Sequence, residues 1–141
     1  MATVNPYLYF NGNCEDAFKF YAAAFRKEIT YMERYKDVPK TDRQIFKEPD
    51  NKIMHATLPI SEETSLMGAD HAEAYKESNA FCKFSLIIHT ETKEETDRLF
   101  NELSEDGEVK VPVGLTFWGA YYGQCIDKFG ISWKITSRSN T

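Results

Sequence analysis

The order of predicted helices and strands constrains this chain more than any other feature of its sequence. Two segments have apolar residues at helical spacing, and each is preceded by one β-rich segment and followed by three. The apolar faces of the two predicted helices consist of Phe18, Tyr21, Ala22 and Phe25 in the first and Thr96, Leu99, Phe100 and Leu103 in the second. One strand, one helix and three strands therefore occur twice within 141 residues.

Local signals mark the start of both helices. Asn13 is a candidate N-cap of the first helix, and Glu15 and Asp16 follow in the first turn, where the helix dipole favours negative charge. Thr92–Glu95 has the capping-box pattern, in which the threonine hydroxyl accepts from the amide three residues on. Both helices are therefore predicted to begin soon after the strand that precedes them.

The other apolar segments are predicted to be strands. They are Tyr7–Phe10, Glu28–Tyr35, Ile53–Ile60 and Thr64–Gly68 in the first repeat, and Cys82–Thr90, Glu108–Leu115, Gly119–Asp127 and Ile131–Thr136 in the second. The predicted fold class is α+β, with two βαβββ modules forming a curved mixed sheet and the helices on its outside. Because each helix covers only one sheet face, the other face is free to enclose a cavity.

The predicted organisation is a single domain over residues 1–141, since domains commonly have about 100–200 residues. Module one covers about 4–70 and module two about 81–138, and the charged segment 70–80 is predicted to be a linker. The polar segment Lys36–Lys52 contains two prolines and is predicted to be a long loop inside module one.

The composition excludes several classes of function. The net charge is −5, and basic residues occur at most in isolated pairs, so we expect no nucleic-acid partner. The apolar runs fall far short of the roughly 20 residues that a membrane-spanning helix needs, and no secretory signal is visible. Three widely spaced cysteines without a CxxC pair are typical of a reduced protein, and we expect a cytoplasmic location.

Several segments, taken in order, resemble PhnB-like proteins of the vicinal oxygen chelate superfamily, which includes glyoxalase I, extradiol dioxygenases and bleomycin-resistance proteins. These segments are Asn5–Ala17, Ile53–Ala56, Leu66–Asp70, Trp118–Gly123 and Asp127–Trp133. Each is weakly specific alone, but in this order they span nearly the whole chain. Lys128 is a departure, because the family turn usually has proline there. The resemblance implies the glyoxalase/bleomycin resistance fold.

The resemblance also implies where metal-dependent members hold their ion. They use four side chains, one from the first and one from the last strand of each module, typically His, Glu or Gln. The corresponding positions here are Pro6, Met67, Ser85 and Lys134. None suits a divalent ion, which prefers imidazole or carboxylate ligands, so we predict no cofactor and no metal at these positions. The alternative is Zn, Mn, Fe or Ni in a rearranged site that uses His55 and His89.

Strand alternation predicts which side chains face the cavity. The residues predicted to face the cavity are Ser85, Ile87, His89, Ser132, Lys134 and Thr136. Leu8 and Phe10 are predicted to face it as well, because they alternate with Pro6, a position that faces the cavity in the family. Phe84, Leu86 and Ile88 are predicted to pack on the helix, and Trp133 and Ile135 to lie in the core. The resulting candidates for ligand binding are His55, Met67, Ser85, Ile87, His89, Trp118, Tyr122 and Lys134.

Several candidates have a structural interpretation beside the functional one. Trp118 and Tyr122 could stack on a planar ligand or form a dimer interface, where aromatic residues are enriched. Lys134 would favour an anionic ligand, or its ammonium could reach the edge of the pocket. His55 and His89 could act as a base or could be hydrogen-bonded structural residues. Cys14 lies near a helix start, which could lower its pKa.

The predicted function is a cytoplasmic, homodimeric, metal-independent protein that binds a small molecule. The ligand would be apolar or weakly anionic and would lie among Trp118, Tyr122, His55 and Lys134. Two alternatives are a metal-dependent lyase or dioxygenase with a rearranged site, and an interaction module that uses the aromatic segment. Some PhnB-like proteins are called ubiquinone methyltransferases, but this chain has no glycine-rich nucleotide loop after its first strand, so we expect no methyltransferase.

Overall fold

The structure is a computed structural model that describes residues 2–37, 49–71 and 84–138. The chain divides into two compact units, Met1–Ser78 and Asn79–Thr141. The predicted linker from residue 72 onward, most of the predicted long loop and the first two residues of the Cys82–Thr90 segment lie outside the described residues. Within the described ranges, no helix has the length and apolar character needed to cross a membrane.

The first unit contains one helix and four strands. Its elements are β1 (Tyr7–Phe10), α1 (Cys14–Phe25), β2 (Tyr31–Arg34), a 3₁₀ turn (Tyr35–Asp37), β3 (Ile53–Pro59) and β4 (Ser65–Asp70). The sheet order is β1-β4-β3-β2, with β1 parallel to β4 and the other pairs antiparallel.

The second unit repeats this topology. Its elements are β5 (Leu86–His89), α2 (Lys93–Ser104), β6 (Glu108–Leu115), β7 (Ala120–Ile126) and β8 (Ser132–Arg138). The sheet order is β5-β8-β7-β6, and again the first strand is parallel to the last while the other pairs are antiparallel. The predicted α+β class with two βαβββ modules is therefore confirmed, with one four-stranded mixed sheet in each module.

Helix α1 packs on its sheet through aromatic side chains. Phe18 and Tyr21 are fully buried, and the Phe18 ring meets the Phe10 ring edge-on at a centroid distance of 6.3 Å. Gly68 on β4 permits this approach, because a Cβ there would lie 2.8 Å from both the Leu8 carbonyl oxygen and Phe18 Cε1. The first unit thus uses a glycine to bring a helix ring against the sheet.

Helix α2 packs in a similar way in the second unit. Leu99, Phe100 and Leu103 are buried, as their spacing predicted. A Cβ at Gly123 on β7 would lie 2.9 Å from Phe100 Cε2, so this glycine also makes room for a helix ring. The Thr92 hydroxyl accepts from the Glu95 amide at 3.1 Å, which confirms the predicted cap.

The first turn of α1 is held by Asp70 rather than by the predicted cap Asn13. Asp70 Oδ1 accepts from the amides of Gly12 (2.8 Å) and Cys14 (2.9 Å), and Oδ2 accepts from the Ile53 amide (2.9 Å). Asn13 occupies the N-cap position, as predicted, but its side chain makes no cap bond, because its backbone is not extended. The prediction for Asn13 was wrong in that respect.

A second buried aspartate organises the turn between β7 and β8. Asp127 Oδ1 accepts from the amides of Phe129 (2.8 Å) and Ile131 (3.1 Å), while Oδ2 accepts from Trp133 Nε1 (2.8 Å). Asp127 therefore fixes a turn whose other residues are close in sequence.

Strand β6 forms one edge of the second sheet and is exposed along most of its length. Its pairing with β7 shifts register twice, between Val109 and Val111 and again between Val111 and Gly114. Pro112 lies within the second of these intervals.

Candidate functional site

The open face of the second sheet carries a cavity of about 990 Å³. Five of the eight predicted ligand-binding residues lie together in its lining, namely Ile87, His89, Trp118, Tyr122 and Lys134. Three strands supply them: β5, β7 and β8, with Trp118 from the turn between β6 and β7. Strand alternation placed Ile87, His89 and Lys134 on one face, and the structure has them there.

Strand register gives the layout of the cavity floor. Thr136 on β8 is paired with His89 on one side and with Tyr122 on the other. Lys134 and Arg138 share the face of Thr136, two residues before and after it, which is roughly 7 Å along a strand. The floor therefore has a hydroxyl at its centre, an imidazole and a phenol beside it, and a cation at each end.

Lys134 and Arg138 supply two cationic side chains to this lining. In the described part of the chain, neither of these side chains forms a hydrogen bond or an ion pair. Glu91 is the one carboxylate among the described lining residues. The described charged side chains of the lining therefore sum to a net positive charge, which favours an anionic group on a ligand.

Aromatic rings line one side of the cavity. The Trp118 ring lies 5.9 Å from the Tyr122 ring, and Phe117 meets Trp118 edge-on at 4.9 Å. Trp118 is 59% exposed and Phe117 is 97% exposed. Gly119, with φ +85°, lets the hairpin reverse direction directly after these rings. Trp118 thus lines the cavity with a side chain that solvent can still reach.

The remaining three predicted residues are not among the described residues that line this cavity. Ser85 Oγ is hydrogen-bonded to Ser132 Oγ at 2.7 Å, and Ser85 does not line the cavity. His55 on β3 and Met67 on β4 belong to the first unit. Phe84, predicted to pack on the helix, is 62% exposed, so that prediction was wrong; Phe84 precedes the first residue of β5 and is not held by the sheet ladder.

The prediction of which β1 residues lie on the open face of the first sheet was wrong. Leu8 and Phe10 were expected to face the cavity, but they are 3% and 0% exposed and lie on the helix side. Tyr7 and Tyr9 occupy the open face instead. The alternation itself contains the signal, because tyrosine has a polar tip suited to a solvated face and leucine and phenylalanine do not.

His55 lies on this open face between two hydroxyl groups. Its Nδ1 is 3.0 Å from the Tyr7 hydroxyl, and its Nε2 is 3.0 Å from Thr57 Oγ1. A consistent arrangement has the Tyr7 hydroxyl donating to Nδ1 and the Nε2 hydrogen donated to Thr57. Burial, followed by the neighbouring Tyr9 and Cys14, raises the pKa of Tyr7, which keeps it protonated as a donor.

The Cys14 thiol does not have the lowered pKa that its place at a helix start suggested. Burial raises the pKa of Cys14 well above its ordinary value, and the carboxylates of Asp70 and Glu15 act in the same direction. Burial and Asp127 likewise raise the pKa of Cys125 to about 11. Desolvation and nearby negative charge thus outweigh the helix dipole at Cys14.

Residues 2–37, 49–71 and 84–138 contain no cluster of three or more His, Cys, Asp or Glu side chains placed to hold an ion. His55 lies in the first unit and His89 in the second. No ligand set for a metal can therefore be assigned from the described side chains.

Comparison with known proteins places this architecture in a family. The family model for 3-demethylubiquinone-9 3-methyltransferase matches residues 2–136. Protein YjdN of Escherichia coli (strain K12) is 30% identical over 139 residues, 94% of this chain and 92% of YjdN. The crystal structure of PA1353 from Pseudomonas aeruginosa is 35% identical with a TM-score of 0.82 and covers 98% of each chain.

Two further solved structures connect the chain to PhnB and to the wider fold. A PhnB protein from Bacillus cereus is 27% identical with a TM-score of 0.76, over 96% of this chain and 99% of that one. A glyoxalase/bleomycin resistance protein/dioxygenase family enzyme from Burkholderia phytofirmans PsJN has 15% identity and a TM-score of 0.66, over 95% and 96% of the two chains, and shows the fold alone.

The two βαβββ modules thus have the glyoxalase/bleomycin resistance fold. The chain belongs to the PhnB-like family, whose model is described as 3-demethylubiquinone-9 3-methyltransferase. The resemblance predicted from its sequence segments is confirmed.

Proposed function

We propose that this protein binds an apolar or weakly anionic small molecule in the cavity of its second unit. The observation that carries the proposal is a cavity of about 990 Å³ with an aromatic side and two cationic side chains that have no partner among the described residues. Small-molecule sites are concave and mostly apolar, with a few polar groups that fix orientation. The ligand would be held without the metal positions of the superfamily.

Different residues of the cavity would bind different parts of the ligand. Trp118 and Tyr122 would stack on a flat apolar part of the ligand. Lys134 and Arg138 would attract a carboxylate or a similar anionic group toward the Thr136 hydroxyl between them. His55, which the sequence placed in the same site, belongs to the first unit and is not needed for this proposal.

Methyl transfer is not part of the proposal, although the family description names it. The segment between β1 and α1, Asn11–Asn13, has a single glycine and is not a glycine-rich nucleotide loop. The first strand is followed by a helix and then by antiparallel strands rather than by further parallel βα units. The described strands and helices therefore do not form the doubly wound parallel sheet on which such a nucleotide-binding site depends.

We further propose that the protein is a cytoplasmic homodimer. Leu115, Phe117 and Trp118 form an exposed apolar group at the end of the β6–β7 hairpin. Exposed aromatic residues of this kind are enriched at subunit contacts. Light scattering coupled to size-exclusion chromatography would give twice the 16.3 kDa chain mass if the proposal is right and the chain mass if it is wrong.

The binding proposal is tested with benzoate as the probe and benzyl alcohol as its uncharged counterpart, in an NMR titration of the full chain. We expect wild type to bind benzoate more tightly, with the largest shifts at Trp118 and Tyr122. Lys134→Met should weaken benzoate binding about tenfold, since a hydrogen bond to a charged group contributes about 1.5–3 kcal/mol. Benzyl alcohol binding should stay within about twofold, because it has no charge for Lys134 to meet.

Lys110→Met is the matched control, because Lys110 is an exposed lysine on β6 outside the cavity. Benzoate shifts confined to other surfaces, or equal losses in Lys134→Met and Lys110→Met, would overturn the proposal. A parallel titration with Zn²⁺, Mn²⁺, Fe²⁺ and Ni²⁺ addresses the metal-dependent enzyme. One tight site per chain, lost in both His55→Ala and His89→Ala, would favour that enzyme over metal-independent binding.

A further inference from the structure

The open face of the first sheet carries a continuous group of rings, which we call the tyrosine face: Tyr7, Tyr9, Tyr31, His55 and the carboxylate of Glu33. Its three tyrosines remain partly exposed, at 39% for Tyr7, 55% for Tyr9 and 48% for Tyr31. A tyrosine normally buries much of its ring, so three such rings on one face form an unusual surface. None of these residues takes part in the proposed cavity of the second unit.

The rings of the tyrosine face are in contact from one strand to the next. The Tyr7 centroid lies 5.4 Å from that of Tyr9 and 5.5 Å from that of His55. The Tyr31 centroid lies 5.7 Å from that of His55. All three pairs are tilted rather than stacked, so neither ring of a pair covers the full face of the other. His55 is fixed at the centre by its bonds to Tyr7 and Thr57.

Glu33 gives this aromatic surface a negative charge. Its Cα is the register partner of His55, so its carboxylate belongs to the same face. The Tyr31 hydroxyl donates to Glu33 Oε2, which holds that carboxylate beside the rings. The same hydrogen bond raises the pKa of Tyr31, which keeps its hydroxyl protonated.

Arg34 is the one lysine or arginine among the described residues of these four strands, and its side chain does not lie on this face. The neighbours on the open side of β3 and β4 include Thr57, Ser65 and Met67. Arg34, the next residue after Glu33, turns to the helix side, where its guanidinium donates to Glu15 on α1 at 2.8 Å. The tyrosine face is therefore rich in π electrons and carries one carboxylate, and the described residues of its strands place no lysine or arginine side chain on it.

We propose that the tyrosine face binds an organic cation of the quaternary ammonium type. Ring faces attract a cation through their quadrupole, and a quaternary ammonium, being weakly hydrated, suits an aromatic surface better than a small hydrated ion does. Glu33 adds a charge of the opposite sign. A Ca²⁺ or Mg²⁺ ion is a poorer fit, because it needs several oxygen ligands and this face offers one carboxylate.

Choline is the probe, and 3,3-dimethylbutan-1-ol is its uncharged counterpart of nearly the same shape. We expect wild-type full chain to bind choline with a dissociation constant on the order of millimolar, since several exposed ring contacts each contribute modestly. The shifts in an NMR titration should centre on Tyr9, Tyr31 and His55. The uncharged alcohol should bind about tenfold more weakly.

Two variants separate the contributions of charge and rings. Glu33→Gln should weaken choline binding about threefold to tenfold, and Tyr9→Leu should weaken it by about threefold. Glu62→Gln is the matched control, because Glu62 is an exposed glutamate of the same unit on the β3–β4 turn, and it should leave binding unchanged. Thermal melts confirm that each variant is folded.

Equal binding of choline and the alcohol would overturn the proposal, because the charge would then have no role. Choline shifts centred on Trp118 and Tyr122 would also overturn it, since those rings belong to the second unit. If Glu33→Gln and Tyr9→Leu both bind choline as wild type does, the tyrosine face is not the site. Lys134→Met tests the anion proposal separately and should not change choline binding.

Discussion

The open sheet faces of the two units have the same strand order but opposite charge. On β2 and β3 of the first, tyrosine and histidine rings surround Glu33, while β8 of the second presents Lys134 and Arg138 around Thr136. Both faces are aromatic, so the sign of the charge is the main chemical difference between them. The comparison teaches that βαβββ topology supplies an open surface, whereas a few outward residues set which ligands it suits.

The helix-facing sides of the two units show a second contrast. Asp70 connects segments far apart in sequence, because its donors come from Gly12, Cys14 and Ile53. Asp127 instead bonds within six residues, to Phe129, Ile131 and Trp133. The first unit thus depends on its buried carboxylate for tertiary structure, and the second depends on its own mainly for a turn.

The largest expected effect comes from replacing these carboxylates. Asp70→Asn puts an amide NH₂ against at least one backbone N–H donor, and we expect a loss of about 3 kcal/mol in the free energy of unfolding. Asp127→Asn should cost about 2 kcal/mol, since a local turn can relax more easily. Urea denaturation measures both changes.

Asp16→Asn is the control for the aspartate pair, because Asp16 is exposed on the first turn of α1. It should change the unfolding free energy by less than about 0.5 kcal/mol. If Asp127→Asn proves as costly as Asp70→Asn, or more so, the contrast between long-range and local bonding is wrong.

The glycines beneath the helix rings sharpen the comparison at a smaller scale. Gly68→Ala would place a Cβ 2.8 Å from the Leu8 carbonyl oxygen, which cannot move without shifting β1. Gly123→Ala meets first the edge of the Phe100 ring, at 2.9 Å, and a ring can tilt. We expect costs of about 3 kcal/mol for Gly68→Ala and about 1 kcal/mol for Gly123→Ala in thermal or urea unfolding. If Gly123→Ala lowers the stability more than Gly68→Ala does, then β1 accommodates an added Cβ more easily than the packing between β7 and α2 does.

The smallest expected effect concerns surface ion pairs and depends on pH. The hydrogen bond from Arg34 holds the pKa of Glu15 below its usual range and links β2 to α1. A lowered folded-state pKa adds stability above the unfolded pKa of about 4.3, and that stability is lost as pH falls through the folded value. Arg34→Met should therefore reduce the urea midpoint at pH 7 more than at pH 3.

Part of the Arg34 effect should persist at pH 3, because its guanidinium also donates to the Asn51 carbonyl at 2.9 Å. Lys110→Met is the counterpart in the second unit, where Lys110 pairs with Glu108 on the same exposed strand. Exposed pairs of this kind contribute little, so its midpoint should change less at both pH values. If the difference in urea midpoint between wild type and Arg34→Met is the same at pH 7 and pH 3, the proposed role of Glu15 is wrong.

Much of the fold could be predicted because its signals are local. Thr92 and the apolar spacing that ends at Leu103 define α2 within a dozen residues, and the structure agrees. The face of β1 could not be predicted in the same way. Phe10 and His89 each precede the first residue of the following helix by four positions, yet Phe10 is buried and His89 is exposed. The path of the connecting loop, and not its length, therefore decides which residues of the strand face the helix.

The candidate sites were predictable to a similar degree. Alternation along β5 and β8 brought Ile87, His89 and Lys134 to one face, since period two needs only the strand assignment. The tyrosine face was missed because the error on β1 turned Tyr7 and Tyr9 to the wrong side. The role of Asp70 was also missed, because its three donors lie between 17 and 58 positions away.

The irregular edge strand β6 affects how readily copies of this chain associate with one another. An exposed strand with Val109, Val111 and Leu115 would ordinarily recruit another strand and grow into an intermolecular sheet. Pro112 has no N–H to donate to an added strand. The two register shifts, one before Pro112 and one that includes it, make the row of backbone donors and acceptors irregular. The backbone of the strand thereby protects the part of this edge outside the proposed dimer contact from intermolecular strand pairing.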